Sequence, residues 1–151
     1  MAEDPANRRT NGGNAGGGWF IQLIPLFRPE ITIASGSPAI FHGDDFSPVG
    51  TARPARAGEL LIASVTGLGA VRGQTALGES FPTNQIAEVS SPVGVLVNGK
   101  EAEVFNKIGW PGTTDRYRID FRIPSGLAPG TATIQLTASW IPGPTVGIAV
   151  Q

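Results

Sequence analysis

The 151-residue chain contains one histidine and no cysteine, and these counts limit the chemistry that its side chains could perform. A Ser-His-Asp triad would have to use His42 with Asp44 or Asp45, but no Gly-x-Ser-x-Gly turn is present to carry a nucleophilic serine. A zinc site draws mainly on His and Cys ligands, which this composition hardly supplies. We therefore expect His42 to be a structural residue at a strand end, and we expect no enzyme activity, no metal and no cofactor.

Asp44, Asp45 and Glu59 form a second group of residues that could do chemistry, as oxygen ligands to Ca²⁺. The ion takes about six to eight oxygen ligands, and this loop lacks the alternating Asp-x-Asp-x-Asp spacing of a calcium loop. A solvated turn is the simpler interpretation of the two adjacent aspartates.

Glu101 and Glu103 lie two positions apart on a predicted strand, so their side chains share one face of the sheet. A glycosidase needs two carboxyl groups that face each other across a cleft, roughly 5–9.5 Å apart. We expect these glutamates on a solvated face, where pairing with arginines on a neighbouring strand would contribute roughly a few tenths of a kcal/mol per pair. The possible partners are Arg116, Arg118 and Arg122.

The three tryptophans are candidates for a binding role, because an indole ring can stack on a sugar. Trp110 lies in the sequence Gly109-Trp110-Pro111-Gly112, which is typical of a loop, and it is the best candidate ligand contact. Residues 70–92 are weakly patterned and predict a long surface loop that would belong to the same contact region. Packing in the core or at an interface is the alternative role for Trp19, Trp110 and Trp140.

The elements that position these residues follow from the glycine and proline content. The chain has 21 Gly and 13 Pro, together about 23 % of its residues, against an ordinary usage of about 12 %. In a helix interior, Gly costs about 1 kcal/mol and Pro about 3 kcal/mol relative to Ala, and this excludes a helical bundle. An apolar content of 40 % argues against a disordered chain, so the sequence predicts an all-β domain.

Charge and hydropathy exclude two kinds of partner. The net charge of −1 and the pI of about 5.8 offer no basic face for nucleic acid. The longest apolar run, Trp19–Phe27, is shorter than the about 20 residues that span a bilayer. It follows Arg8-Arg9 as a secretory leader would, but Pro25 interrupts it and no small-x-small cleavage site follows. We expect no nucleic-acid partner, no membrane span and no clear signal peptide.

Turn signals about ten residues apart divide residues 38–151 into about seven to nine strands, which predicts an antiparallel immunoglobulin-like β-sandwich, with a barrel as the alternative. Asn98-Gly99 predicts a hairpin, because both residues readily adopt positive φ. Residues 116–123 alternate charged and apolar side chains, as in a strand with one buried face. Pro142-Gly143-Pro144 is predicted to turn the chain into a last strand, 146–150. The other predicted strands are 39–42, 59–66, 93–97, 100–105 and 131–139.

The first 37 residues differ in character from the rest. Residues 1–18 predict a flexible Gly-rich arm, and residues 19–37 an apolar, strand-forming extension in which Pro25 and Pro29 favour edge strands. Such an extension either adds a strand to its own domain or packs on a partner by β-augmentation. The candidate partner-binding residues are Trp19, Phe20, Ile21, Leu23, Leu26 and Phe27.

Five segments, with their glycine and proline positions, follow one another in an order that resembles a known family. They are Ala39–His42, Pro54–Leu60, Thr66–Gly69, Val95–Val104 and Ile123–Ala132. Residues 38–151 thereby resemble the Solibacter uncharacterised C-terminal domain of large secreted acidobacterial proteins, which is similar to IPT/TIG immunoglobulin-like modules. The resemblance implies an immunoglobulin-like sandwich in an extracellular or cell-surface setting, and it brings no known catalytic residue. Residues 1–37 have no counterpart in it.

The expected function is therefore a non-catalytic structural or assembly module of an extracellular or cell-surface protein. It would form a homo-oligomer by binding a second copy of itself through the N-terminal extension. Alternatively, it would bind other surface proteins. The alternative is a carbohydrate- or surface-binding adhesion domain, with a glycan held at Trp110.

Overall fold

The computed structural model describes residues 28–72 and 78–151, and these two ranges form an antiparallel β-structure without helices. The prediction of an all-β fold is confirmed. Three of the ten strands within these two ranges are only two residues long. The strands are β1 (Glu30–Ile31), β2 (Ile33–Ala34), β3 (Ser37–Pro38), β4 (Ile40–His42), β5 (Leu60–Thr66), β6 (Val93–Val97), β7 (Lys100–Gly109), β8 (Tyr117–Arg122), β9 (Gly130–Ala138) and β10 (Ile141–Val150).

The long strands lie in the order β10-β9-β6-β7-β8-β5, and β1 and β4 both pair with the outer edge of β5. Strand β7 belongs to both layers, because its first half pairs with β6 and its second half with β8. A register shift between Val104 and Asn106 marks the change of layer. One layer thus runs β4-β5-β8-β7 and the other β6-β9-β10, which is the four-plus-three order of an immunoglobulin sandwich.

Alternating apolar residues of both layers fill the space between them. Along β8, Tyr117, Ile119 and Phe121 are buried, as the period-two pattern predicted. Burial of each such side chain contributes about 1.5–3 kcal/mol to the transfer free energy that drives folding. The inward-facing residues of the neighbouring strands are Leu61, Ala63, Val65, Val95, Val97, Ala132, Ile134, Leu136 and Ala138.

The C-terminal end of β10 is joined to the segment that follows β4. Ala55 and Val150 form a parallel bridge, in which the Ala55 N–H donates to the Ala149 carbonyl at 2.9 Å and the Gln151 N–H donates to the Ala55 carbonyl at 2.8 Å. The edge of the second layer is therefore fastened to the first layer at this end.

Residues 28 and 29 close the opposite end of the sandwich through two close backbone approaches. The carbonyl oxygen of Arg28 lies against the α-carbon of Gly67, and that of Pro29 lies against the α-carbon of Gly143. A side chain at either glycine would overlap these oxygens, so the slot requires glycine on both walls. The described part of the predicted extension, residues 28–37, consequently packs on its own domain.

Of the two predictions that concern two-residue hairpin turns, one is confirmed and one is wrong. Asn98 and Gly99 join β6 to β7 with φ of 51° and 79°, as predicted. The turn expected at Pro142-Gly143-Pro144 lies instead at Ser139 and Trp140, with φ of 48° and 64°. The prolines are part of β10, which is an edge strand where a missing N–H costs no ladder bond.

The surface loop predicted for residues 70–92 is also corrected, because its described residues enter the core. Val71, Phe81, Ala87 and Val89 are buried, and Phe81 packs on Tyr117 with ring centres 5.2 Å apart. Gly109 makes room for that ring, since a methyl group there would lie 2.5 Å from Cγ of Phe81. The backbone is fixed to β7 by the bond from the Val89 N–H to the Lys107 carbonyl, at 2.9 Å.

Candidate functional site

His42 is the last residue of β4, as predicted, and only 1 % of its surface is exposed. Its Nε2 donates to the backbone carbonyl of Arg53 at 3.0 Å, and its Nδ1 is paired with the Glu59 carboxylate. The other carboxylate oxygen of Glu59 accepts a bond from the Arg56 N–H at 2.9 Å. Because both ring nitrogens are engaged inside the fold, neither is free to accept a proton from a substrate.

Arg53 binds both of the adjacent aspartates. Its two terminal nitrogens donate to Asp44 at 2.8 Å and to Asp45 at 2.7 Å. The Asp45 carboxylate also accepts bonds from the Ser47 N–H at 3.0 Å and the Ser47 hydroxyl at 2.8 Å. The Ser47 bonds, above all that from its N–H, together with Arg53 hold the pKa of Asp45 well below its ordinary value of 3.8. The bonds to Asp44 and Asp45 raise the pKa of Arg53.

A pocket of about 530 Å³ opens beside His42 and Arg53. Glu59 also lines it, but its carboxylate is occupied by His42 and the Arg56 N–H and does not join Asp44 and Asp45 as a ligand. Within residues 28–72 and 78–151, no three His, Asp or Glu side chains are grouped so that they could hold a metal ion. The pocket is lined by His42, Gly43, Asp44, Arg53, Pro54, Arg56, Ala57, Gly58, Glu59 and Leu60.

Glu101 and Glu103 are exposed on one face of β7, as their spacing predicted. The register places Glu103 opposite Arg122 of β8. The guanidinium of Arg122, however, donates to the Gly58 carbonyl at 2.9 Å and lies 4.9 Å from the centre of the Phe105 ring. Arg122 therefore contributes through a backbone carbonyl and a cation–π contact rather than the predicted pairing with a glutamate.

Trp110 immediately follows β7 and is half-buried against an aromatic neighbour that the sequence did not indicate. Its ring packs edge-on against Phe46, with centres 5.9 Å apart and planes at 75°. Phe46 in turn packs on Phe41, with centres 5.0 Å apart, and has the Arg118 guanidinium 5.9 Å from its ring centre. We call Phe41, Phe46, Trp110 and Arg118 the aromatic platform.

Two properties distinguish the aromatic platform from ordinary surface packing. Phe46 is 42 % exposed and has a φ of 64°, which is rare for a bulky side chain. Arg118 is held in place by two bonds to the Asp120 carboxylate, at 2.8 and 3.1 Å. The surface thus combines partly exposed aromatic rings with an oriented guanidinium that could donate hydrogen bonds to hydroxyl groups.

Trp140, at the tip of the β9–β10 hairpin, is the most exposed large apolar side chain of the described residues, with 82 % of its surface accessible. The Ser139 N–H donates to the Pro92 carbonyl at 2.9 Å and so fixes the turn. Trp140 was a candidate from its residue type, but its place in the turn was not predicted, because the prolines that follow gave the stronger turn signal. The available signal was the end of the alternation in residues 131–139, directly before Trp140.

The six candidate partner-binding residues, Trp19, Phe20, Ile21, Leu23, Leu26 and Phe27, lie outside the described residues. The predicted arm 1–18 does so as well. The part of the extension that follows them begins at Arg28, in the slot between Gly67 and Gly143.

Comparisons with known proteins give no relative from which a role could be transferred. The chain matches no protein-family model, no curated protein and no solved structure. In the described part of the chain, no helix has the length and apolar character required to cross a membrane.

Proposed function

We propose that this protein is a non-catalytic, immunoglobulin-like structural module that associates with copies of itself through residues 19–27. The observation that carries the proposal is the slot between Gly67 and Gly143, which holds the backbone of residues 28 and 29 at one end of the sandwich. The apolar segment directly precedes this anchor in the sequence, so its point of attachment is fixed and less conformational entropy is lost when the segment binds.

The non-catalytic part of the proposal is supported by the way the reactive side chains are used. His42 is engaged at both ring nitrogens, and Arg53 is engaged with two aspartates. The extracellular or cell-surface setting is proposed on the resemblance of residues 38–151 to a family of secreted proteins. In that setting, a module of this kind would link or space the parts of a surface assembly.

The mass of the particle in solution tests the association. We expect the full chain to form a dimer or larger species in light scattering after size exclusion, and a chain that begins at Arg28 to be monomeric. The truncation stops at Phe27 because Ile31 of β1 is 97 % buried and its removal would damage the core. Circular dichroism and a cooperative unfolding transition show that the shortened chain is folded. A full chain that stays monomeric at high concentration overturns the proposal.

A second candidate function, glycan binding, is favoured by the aromatic platform. A sugar ring would stack on Phe46 or Trp110, while its hydroxyl groups accept hydrogen bonds from the Arg118 guanidinium. A glycan array with the chain that begins at Arg28 tests this function without the N-terminal segment. We expect Trp110→Ala to lose any bound glycan and Phe105→Ala, at another half-exposed aromatic residue, to retain it. An array without binding contradicts this candidate and leaves the assembly proposal unaffected.

A further inference from the structure

Trp140 lies at a position where tryptophan does not favour the folded state. The turn Ser139–Trp140 has positive φ at both residues, a geometry in which glycine or asparagine is strongly preferred. A bulky residue in the left-handed region is strained, and 82 % exposure means that little packing offsets this strain. Backbone strain clusters at functional sites, and tryptophan is enriched at interfaces.

The turn lies at the end of the sandwich where the described residues begin. The Pro29 carbonyl lies against Gly143, which is three residues along β10 from Trp140. Three strand residues span about 10 Å. The described chain therefore begins, at Arg28, at the same end of the sandwich as the Trp140 turn.

The sequence of the segment calls for two apolar surfaces. In an extended strand, successive side chains point to opposite faces. One set of alternating positions is Trp19, Ile21, Leu23, Pro25 and Phe27, and the other is Phe20, Gln22, Ile24 and Leu26. Both sets are apolar apart from Gln22, which is typical of a strand covered on both sides. The exposed ring of Trp140 offers an apolar surface for one of these faces.

We propose that the Trp140 turn is the docking site for residues 19–27 of a second copy, so that two copies cover each other's apolar segments around a two-fold axis. This inference rests on the proposed self-association and names the surface that receives the segment. A symmetric pair uses the same patch twice, and both Trp140 rings would be buried in one interface. Indole rings at the centre of an interface typically contribute a large share of the binding energy.

Trp140→Gly separates the binding role of the side chain from its effect on folding. Glycine suits the positive φ of the turn, so the variant should unfold at a higher denaturant concentration than the parent chain. We expect the same variant to raise the dimer dissociation constant by at least tenfold in analytical ultracentrifugation. Trp140→Asn, which also tolerates this backbone conformation, should show the same loss of association.

Phe105→Ser is the matched control, since Phe105 is a half-exposed aromatic residue on β7, beside Arg122. It should leave the dissociation constant within twofold of the parent value. The double variant Trp19→Phe/Trp110→Phe keeps Trp140 as its single tryptophan. Its fluorescence emission should shift to shorter wavelength as the protein concentration rises through the dissociation constant.

The outcomes distinguish the two proposals. If the full chain associates and Trp140→Gly associates equally well, the docking site is wrong while self-association stands. If the full chain is monomeric, both fail. A blue-shifted Trp140 emission that does not depend on concentration shows that the chain's own segment covers the ring, which also overturns docking by a second copy.

Discussion

The hydroxyl of Tyr117 donates a hydrogen bond of 2.5 Å to the backbone carbonyl of Gly69. This bond ties the start of the long segment between β5 and β6 to strand β8. Burial of the ring raises the pKa of Tyr117 above its ordinary value of 10.0, and the negative charge of Asp115 raises it further.

Tyr117 is the only tyrosine, so the ultraviolet absorbance of phenolate reports on this residue alone. We expect a midpoint above 10.0 in the folded protein. Since the folded pKa is raised, the stabilising contribution is complete below the unfolded pKa and is lost as pH rises through the folded pKa. Tyr117→Phe should abolish the titration and lower the free energy of unfolding at neutral pH by about 1 kcal/mol. A midpoint at or below 10.0 contradicts the burial of the Tyr117 ring.

The contributions of His42 and Glu59 to the free energy of unfolding should be strongly coupled. Replacing His42 with Ala leaves the Glu59 carboxylate and the Arg53 carbonyl without their partner and opens a cavity. We expect the free energy of unfolding to fall by about 3–5 kcal/mol, as measured by urea unfolding with tryptophan fluorescence as the probe. Replacing both residues with Leu should cost less than the sum of the two single Leu substitutions, because the paired polar groups then disappear together. Additive losses would show that the pair does not act as a unit.

Gly143→Ala tests the slot that holds the backbone of residues 28 and 29. The added methyl group would overlap the Pro29 carbonyl, so β1 must move away from β10. We expect the free energy of unfolding to fall by about 2–3 kcal/mol and amide hydrogen exchange at Ile31 to become faster. Gly147→Ala is the control on the same strand, because its methyl group would meet only Cγ2 of Thr131, at 3.2 Å, and the cost should be about 1 kcal/mol or less. Equal losses at the two positions would contradict the close contact at Pro29.

The Asp45 loop should keep its order in acid. The pKa of Asp45 is lowered, so the contribution of its bonds is present above the ordinary value of 3.8 and is lost only as pH falls through the lower folded pKa. In a carboxyl-carbon NMR titration, Asp45 should show no protonation step near 3.8. Ser47→Ala, which removes the hydroxyl donor but keeps the N–H, should move the step upward while leaving it below 3.8. A step at 3.8 in the parent protein would contradict the Ser47 bonds.

The strands that the sequence predicts well are those in which local pattern and burial agree. Residues 117–122 alternate because one face of β8 meets the core, and Asn98-Gly99 forms its hairpin because both residues adopt positive φ without strain. The failed predictions come from tertiary context. Proline and glycine at 142–144 resemble a turn locally, but the free edge of the sheet accepts them as strand residues. Phe81 lies in a segment without periodicity, and only the space above Gly109 shows that it belongs to the core.

The candidate sites were predictable only in part, because they depend on residues far apart in sequence. His42 was expected at a strand end, but its two partners, Arg53 and Glu59, are 11 and 17 residues away and are brought to it by the fold. Trp110 was singled out from its loop sequence, whereas nothing in the local pattern indicated that Phe46 would stack beside it.

The parallel contact between Ala55 and Val150 has a mechanical consequence. Arg28 lies near the beginning of β10 and Gln151 just past its end, so tension applied to these two residues acts along the strand. The two bonds of Ala55, to Ala149 and to Gln151, would then be loaded in shear and would have to break together rather than one after the other. Single-molecule pulling should therefore find high resistance, with a single rupture peak, when force is applied through residues 28 and 151. It should find low resistance when force is applied across the β9–β10 hairpin, whose bonds open in sequence.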